Sequence, residues 1–116
     1  MRSHAEGHST IASKDASHAE GGSTVASGEC SHAEGGETKA LNLYSHAEGY
    51  KSESQENGAH AEGHTSIAKG TYSHAEGTSI TEGTRAHSEG YNTLAKADYS
   101  HAEGQGTIAA SINQHV

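Results

Sequence analysis

Ser17–Gly21 spells Ser-His-Ala-Glu-Gly, and the same five letters return fourteen residues later at Ser31–Gly35. Eight copies occur along the 116-residue chain, with Ala replacing the first Ser in two of them and Ser replacing the Ala in one. They divide the sequence into repeats 3–16, 17–30, 31–44, 45–58, 59–72, 73–85, 86–99 and 100–113. A fixed short period is typical of a solenoid, in which every repeat forms one coil stacked on the next.

The length of the repeat selects the fold class. Fourteen residues are too few for helix-pair repeats of about 33 or more residues, and for leucine-rich repeats of about 20–29. They suffice for two short strands and two tight turns. We therefore predict an all-β protein with one domain over residues 1–116, a parallel β-roll or β-solenoid of 14-residue coils.

The composition excludes a conventional globular core. The chain has no Pro, Phe or Trp, and its Val, Leu and Ile residues number only ten. Ordering a chain of this length costs on the order of 100–200 kcal/mol of conformational entropy, which so few aliphatic side chains cannot offset. The net charge of -8 argues against nucleic acid as a partner, and no apolar run is long enough to predict insertion into a membrane.

Glycine fills one position of every repeat. With the first Ser or Ala as position 1, position 5 is Gly7, Gly21, Gly35, Gly49, Gly63, Gly77, Gly90 and Gly104. These glycines are predicted to supply the positive φ of a sharp turn after the first strand. The variable positions 11 to 14 are predicted to form the second corner.

Alternation along the strands predicts two faces. Coils stacked about 4.8 Å apart would give a rod about 38 Å long, with His at position 2 and Glu at position 4 on one side of the first strand and Ala at position 3 on the other. The preferred interior combines these alanines with the aliphatic residues of position 9, such as Val25 and Ile67. The alternative interior encloses the hydroxyl residues of position 8 and the small residues of position 10.

Repeat six is one residue short. Alignment of Thr78-Ser79-Ile80 with Thr65-Ser66-Ile67 places the missing residue directly after Gly77, so the deletion is predicted to lie in a turn.

The repeat resembles a known family. The pattern S-H-A-E-G-x-x-T-x-A is similar to the repeats of YadA-like heads of trimeric autotransporter adhesins, and more so to the His-Ala-Glu-Gly repeats of phage neck-appendage and tail-fibre proteins. The resemblance implies a left-handed roll, assembly as a homotrimer and an extracellular location on a cell surface or a virion. It also implies a structural and display function, a stiff spacer whose turns contact a host-surface receptor. The adhesin repeats differ in carrying aliphatic residues at positions 2 and 4.

A homotrimer is also reasonable from the residues. A roll with so few apolar side chains buries little by itself, and repeats of this kind are stabilised by neighbours. The predicted partner is therefore a second and third copy of the chain. A self-stacking filament is the alternative, because the repeats lack capping elements at either end and leave strand edges unpaired.

His and Glu recur in every repeat and form the candidate site. We predict a histidine row and a glutamate row in which His of one subunit meets Glu of the next across the trimer interface. The alternative is a solvated strand face. The rows comprise His4, His18, His32, His46, His60, His74, His87 and His101 with Glu6, Glu20, Glu34, Glu48, Glu62, Glu76, Glu89 and Glu103.

Chemical roles for these rows are less favoured. His and Glu can ligate Zn²⁺ or Ni²⁺, but a ladder offers the same two ligands on each rung where metal sites need three or four that converge. No metal ligand and no cofactor is therefore predicted. Catalysis is not expected either, because the Ser, His and Glu pattern recurs in most repeats whereas active sites are single.

Two further surfaces are candidates for binding. The five tyrosines fall at variable turn positions and are predicted surface contacts, namely Tyr44, Tyr50, Tyr72, Tyr91 and Tyr99. The hydroxyl row of position 8 suggests ice binding as an alternative function, although Lys39 and Glu53 interrupt the neighbouring row.

Overall fold

A computed structural model of the chain describes residues 2–116 as a parallel β-solenoid of about eight coils. The strands are β1 (His4–His8), β2 (Ile11–Ala12), β3 (His18–Gly22), β4 (Val25–Ala26), β5 (His32–Gly36), β6 (Lys39–Ala40), β7 (His46–Tyr50), β8 (Glu53–Ser54), β9 (His60–His64), β10 (Ile67–Ala68), β11 (His74–Thr81), β12 (His87–Ala95), β13 (His101–Gln105) and β14 (Ile108–Ala109). Within this part of the chain, no helix is long and apolar enough to cross a membrane. The predicted all-β roll is confirmed.

The coils stack in exact sequence register. The longer strands pair in parallel along one face, so that Ala19 of β3 lies opposite Ala33 of β5, and the two-residue strands pair in the same way along the other face. In β11 and β12 the long and short strands merge into one. The backbone measures 41 × 21 × 10 Å, which agrees with the predicted rod length and shows how thin the roll is.

The second corner is closed by the serine of position 1. The hydroxyl of Ser31 donates to the carbonyl of Gly28 at 2.6 Å and accepts from the Gly28 N–H at 3.1 Å. The residue before it, Cys30, has a φ of 56°. Where position 1 is serine, the first residue of the next repeat therefore satisfies polar groups of this turn, because a short hydroxyl side chain can bond the backbone three residues away; Ala59 and Ala86 offer no such hydroxyl.

The interior is made of small side chains, and the preferred prediction for it was wrong. Alanines of positions 3 and 10, such as Ala33 and Ala40, are fully buried, and so are the hydroxyl residues Thr24 and Thr38 of position 8. The aliphatic residues of position 9 point outward, as the 53% exposure of Ile11 shows for the end coil. The alternative interior, with hydroxyl and small residues enclosed together, is the one formed.

The left-handed residues between the two strands explain this outcome. Position 7 has a positive φ in addition to the glycine of position 5, for example 57° at Ser23 and 56° at Glu37. Because of this second bend, the short strand starts with positions 8 and 10 facing the interior and position 9 facing outward. Several buried hydroxyls bond to the backbone, as Ser66 does to the carbonyl of Gly77 at 3.0 Å, whereas those of Thr24, Ser54 and Thr93 have no partner among the described residues.

Repeat six loses position 7 rather than position 6. Thr78 pairs with Tyr91 and Ser79 pairs with Thr93, so Asn92 is the residue without a counterpart. The deletion therefore follows Thr78, one residue later than the predicted place directly after Gly77. β11 runs without interruption from one face of the roll to the other, and β12 pairs with it over its whole length, although Asn92 keeps the bend of position 7 with a φ of 58°.

A pair of substitutions on neighbouring residues tests which face is inside. Ala68→Leu is expected to destabilise the protein by about 1–3 kcal/mol or more, because the fully buried Ala68 has no space around it. Ile67→Thr is expected to cost less than about 1 kcal/mol, because Ile67 lies half-buried on the outer face. Urea unfolding of both variants measures the difference. A larger loss of unfolding free energy for Ile67→Thr than for Ala68→Leu would contradict the observation that Ala68 is inside and Ile67 is on the outer face.

Candidate functional site

The histidine row lies on the outer face of the long strands. Residues two apart in a strand share a side, so positions 2 and 4 project together while the alanine between them is buried. Along the row, imidazole rings of successive coils stack with centroids 4.6 to 4.8 Å apart from His18 to His101. The first ring, His4, departs from the stack and meets His18 edge-on, with an interplanar angle of 80°.

Each glutamate in the middle of the rod contacts two histidines. The carboxylate of Glu62 lies 3.7 Å from Nε2 of His60 in its own coil and 3.5 Å from Nε2 of His74 in the next. The same pattern links Glu48 with His46 and His60. From His46 to His115 the two rows therefore form one continuous ladder within a single chain, whereas Glu6, Glu20 and Glu34 each contact the histidine of their own coil.

The ring nitrogens of this ladder are enclosed but unbonded. The Nε2 atoms of seven row histidines are inaccessible to solvent and make no hydrogen bond with the described residues 2–116; they belong to His18, His32, His46, His60, His74, His87 and His101. The rest of each side chain remains partly open, with 34% exposure for His60. The face therefore holds polar atoms whose bonding capacity is unused.

Burial disfavours the charged form of three row histidines, His32, His60 and His87. Burial, followed by repulsion from His74 and His46, lowers the pKa of His60 to about 4, although Glu48 opposes the shift. The pKa values of His32 and His87 are also lowered, again chiefly by burial. These imidazoles are therefore neutral at pH 7, since desolvation and a neighbouring positive charge both favour the neutral form.

An open groove follows the glutamate row. The carboxylates of six coils form one wall, and the backbone of the position 5 glycines forms the floor over seven successive coils; the groove is lined by Glu6, Gly7, Glu20, Gly21, Glu34, Gly35, Glu48, Gly49, Glu62, Gly63, Glu76, Gly77 and Gly90. Because no side chain projects from the floor, another backbone could approach it closely.

All five tyrosines are exposed; three of them lie in a corner as predicted, whereas Tyr50 and Tyr91 lie in the strands β7 and β12. Tyr44, Tyr72 and Tyr99 follow the second corner at position 14, with exposures from 53% to 64%. Arg85 occupies the same position between two of them, with its guanidinium 5.4 Å from the centroid of the Tyr72 ring. Tyr50 and Tyr91 lie on the opposite edge at position 6.

The hydroxyl row proposed for ice binding is not on the surface. Thr24, Thr38, Ser52 and Ser66 are fully buried between the two sheets. A row that water cannot reach cannot order water, so the observation that suggested ice binding is lost.

Sequence reasoning left two parts of the site out. His115 extends the histidine row, with its ring 4.4 Å from that of His101, and its spacing of fourteen residues from His101 was the signal. The sharing of each carboxylate between two coils was also not anticipated, because it depends on side-chain torsions that a repeat pattern does not specify.

No family model matches the chain, and no curated protein matches it at a significant level.

Proposed function

We propose that the chain is a structural and display module of a trimeric extracellular fibre, a stiff spacer of the kind found in phage appendages or adhesin heads. The observation that carries the proposal is the uninterrupted stack of like coils, whose one chemically uniform face bears the His and Glu rows. A thin roll with every interior residue small has little apolar surface to bury by itself. Association with further copies supplies the missing burial.

The His and Glu face is the surface proposed to meet the other two subunits. Its histidine nitrogens lack hydrogen bonds within the chain, and the adjoining groove has a bare glycine floor. A carboxylate from another subunit at Nε2 would complete the bonding that each imidazole lacks. Left-handedness and the location on a cell surface or virion rest on the resemblance of the Ser-His-Ala-Glu-Gly repeats.

The corner tyrosines are the proposed contacts with a host-surface receptor. They are exposed on both edges of the rod and differ from coil to coil, whereas the strand positions hardly vary. Tyrosine offers a large contact area with a polar end, which suits it to an exposed binding edge. The Tyr72, Arg85 and Tyr99 series is the most continuous of these surfaces.

Sedimentation equilibrium at neutral pH tests the assembly. A mass near three times 11.9 kDa is the expected result. Glu62→Lys is expected to lower the mass to that of one chain, because it places a cation among the histidines of the proposed interface. Glu56→Lys, an exposed residue at the second corner, is the matched control and should remain trimeric. Far-UV circular dichroism shows whether each variant is folded.

Two results would contradict the trimer. A folded wild-type monomer would leave the His and Glu face as a solvated surface. An open-ended polymer would favour the filament alternative, in which β1 and β2, each paired on one side only, accept strands of another copy.

A further inference from the structure

We propose that the His and Glu rows bind divalent transition-metal ions, each held between two successive coils. The ligands are Nε2 of the two histidines and a carboxylate oxygen of the glutamate in the first of the two coils. All three ligands belong to one chain, and they include the Nε2 atoms at the proposed trimer contact, so an ion and a carboxylate of another subunit compete for the same nitrogens.

Two adjacent coils bring three ligand atoms together. In the coils of His46 and His60, the two ring nitrogens and a carboxylate oxygen of Glu48 all lie within 4.8 Å of one another. The same arrangement occurs five times among residues 2–116, as His18/Glu20/His32, His46/Glu48/His60, His60/Glu62/His74, His74/Glu76/His87 and His101/Glu103/His115. One coil offers only two ligands, its His and its Glu, but two adjacent coils offer three ligands that converge.

The ligand atoms are also uncommitted. Apart from His115, every histidine of these clusters has an Nε2 that is enclosed and without a hydrogen bond in the described structure. A ring nitrogen with an unused lone pair is the atom that a metal ion requires. The carboxylates lie 3.4 to 3.8 Å from these nitrogens within a coil and 3.5 to 3.9 Å between coils, beyond ideal hydrogen-bond distance.

The ligand set indicates the class of ion. Two imidazoles and one carboxylate suit Zn²⁺, Co²⁺, Ni²⁺ or Cu²⁺ rather than Mg²⁺ or Ca²⁺, which prefer oxygen ligands alone. Bonds of about 2.0–2.1 Å to Zn²⁺ require the nitrogens to close to roughly 3.3 Å, which rotation of partly exposed side chains can supply. Water completes the coordination. The net charge of -8 further favours cations.

The pattern of clusters fixes the stoichiometry. One Nε2 binds one ion, so clusters that share a histidine cannot both be filled. The cluster centred on Glu62 shares His60 and His74 with its two neighbours, and removing it from the five leaves four independent sites. These sites are centred on Glu20, Glu48, Glu76 and Glu103, and they lie about two coils apart, which limits repulsion between ions.

Calorimetric titration with Zn²⁺ tests the proposal. It uses the full chain in its own oligomeric state, after metal has been removed with a chelator. We expect about four Zn²⁺ ions per chain, as the independent clusters require. The double variant His46→Asn/His60→Asn should bind three, because it removes both nitrogens of one site. The control double variant His8→Asn/His64→Asn also removes two histidines but lies outside the row, and it should keep four.

A second variant, with a smaller change, tests the same site in case the double histidine variant does not fold. Glu48→Gln keeps both rings and removes one ligand charge, so one of the four sites should weaken about tenfold or more. Co²⁺ provides an independent readout, since histidine ligation gives it visible absorption bands that the chain without metal lacks. Binding of one ion or none per chain, four ions retained by His46→Asn/His60→Asn, or loss of an ion from the His8/His64 control would each overturn the proposal.

Discussion

Gly49→Ala is expected to destabilise the protein by about 3–5 kcal/mol, enough to unfold a domain of marginal stability. Gly49 has a φ of +102°, which alanine adopts only with strain. A Cβ at this position would also lie 2.1 Å from the carbonyl oxygen of Gly63 in the next coil. That oxygen belongs to the backbone of a hydrogen-bonded strand, so it cannot move without disturbing the stack.

Two other glycines, Gly104 and Gly22, provide matched controls that separate strain from collision. Gly104 has the same φ of +102°, but nothing lies within 4 Å of its would-be Cβ. Gly104→Ala should therefore show the strain alone, about 1–3 kcal/mol. Gly22 has neither problem, and Gly22→Ala should be neutral or stabilising by up to about 1 kcal/mol. Urea unfolding at one fixed protein concentration compares the three. Equal losses for Gly49→Ala and Gly104→Ala would show that the coils are not stacked this closely.

Lowering the pH from 7 to 4 is expected to destabilise the wild-type protein progressively. The folded state keeps His60 neutral down to its pKa of about 4, whereas the unfolded chain protonates it near 6.5. Between these values the unfolded chain binds more protons, so stability falls as the pH falls. The contribution is complete above about pH 6.5 and is lost near pH 4. Partial exposure of the ring limits its size to about 1–2 kcal/mol.

Burial of His60, followed by the groups around it, decides the direction of this effect. His46 and His74 stack on its two faces, and Glu48 and Glu62 lie within 3.9 Å of its Nε2. Glu48 favours protonation, but burial and the two neighbouring imidazoles outweigh it and lower the pKa of His60. His32 and His87 add to the loss in the same direction, because their pKa values are also lowered.

Thermal unfolding between pH 4 and 8, in the presence of a chelator, measures this dependence. His60→Asn should flatten the pH profile, since it removes the most perturbed group. His64→Asn is the control from the same strand, at an exposed corner outside the row, and it should leave the wild-type profile unchanged. A His60→Asn profile as steep as that of the wild type would place the proton uptake elsewhere.

The repeat by itself determined the solenoid. A period of fourteen residues leaves room for two strands and two turns, and glycine at position 5 specified the positive φ that is observed there. The stacked His and Glu rows followed from the same period, because in-register coils place equal positions above one another. Even the short repeat six could be placed to within one residue.

Which residues are inside was decided only by the tertiary structure. Alternation gives two possible phases for the second strand, and hydrophobicity favoured the one that buries Val25 and Ile67. The left-handed bends at residues such as Ser23 set the other phase. The interior is then too narrow for branched aliphatic side chains, and hydroxyls that bond to strand carbonyls fill it instead.

The convergence of ligands in the candidate site likewise depends on three dimensions. The sequence places one His and one Glu on each coil. Only the stacking distance, together with the side-chain torsions, brings Glu48 between His46 and His60 and turns two rungs into one cluster. A linear pattern records which residues recur, whereas the contacts between coils depend on the separation and orientation of the strands that carry them.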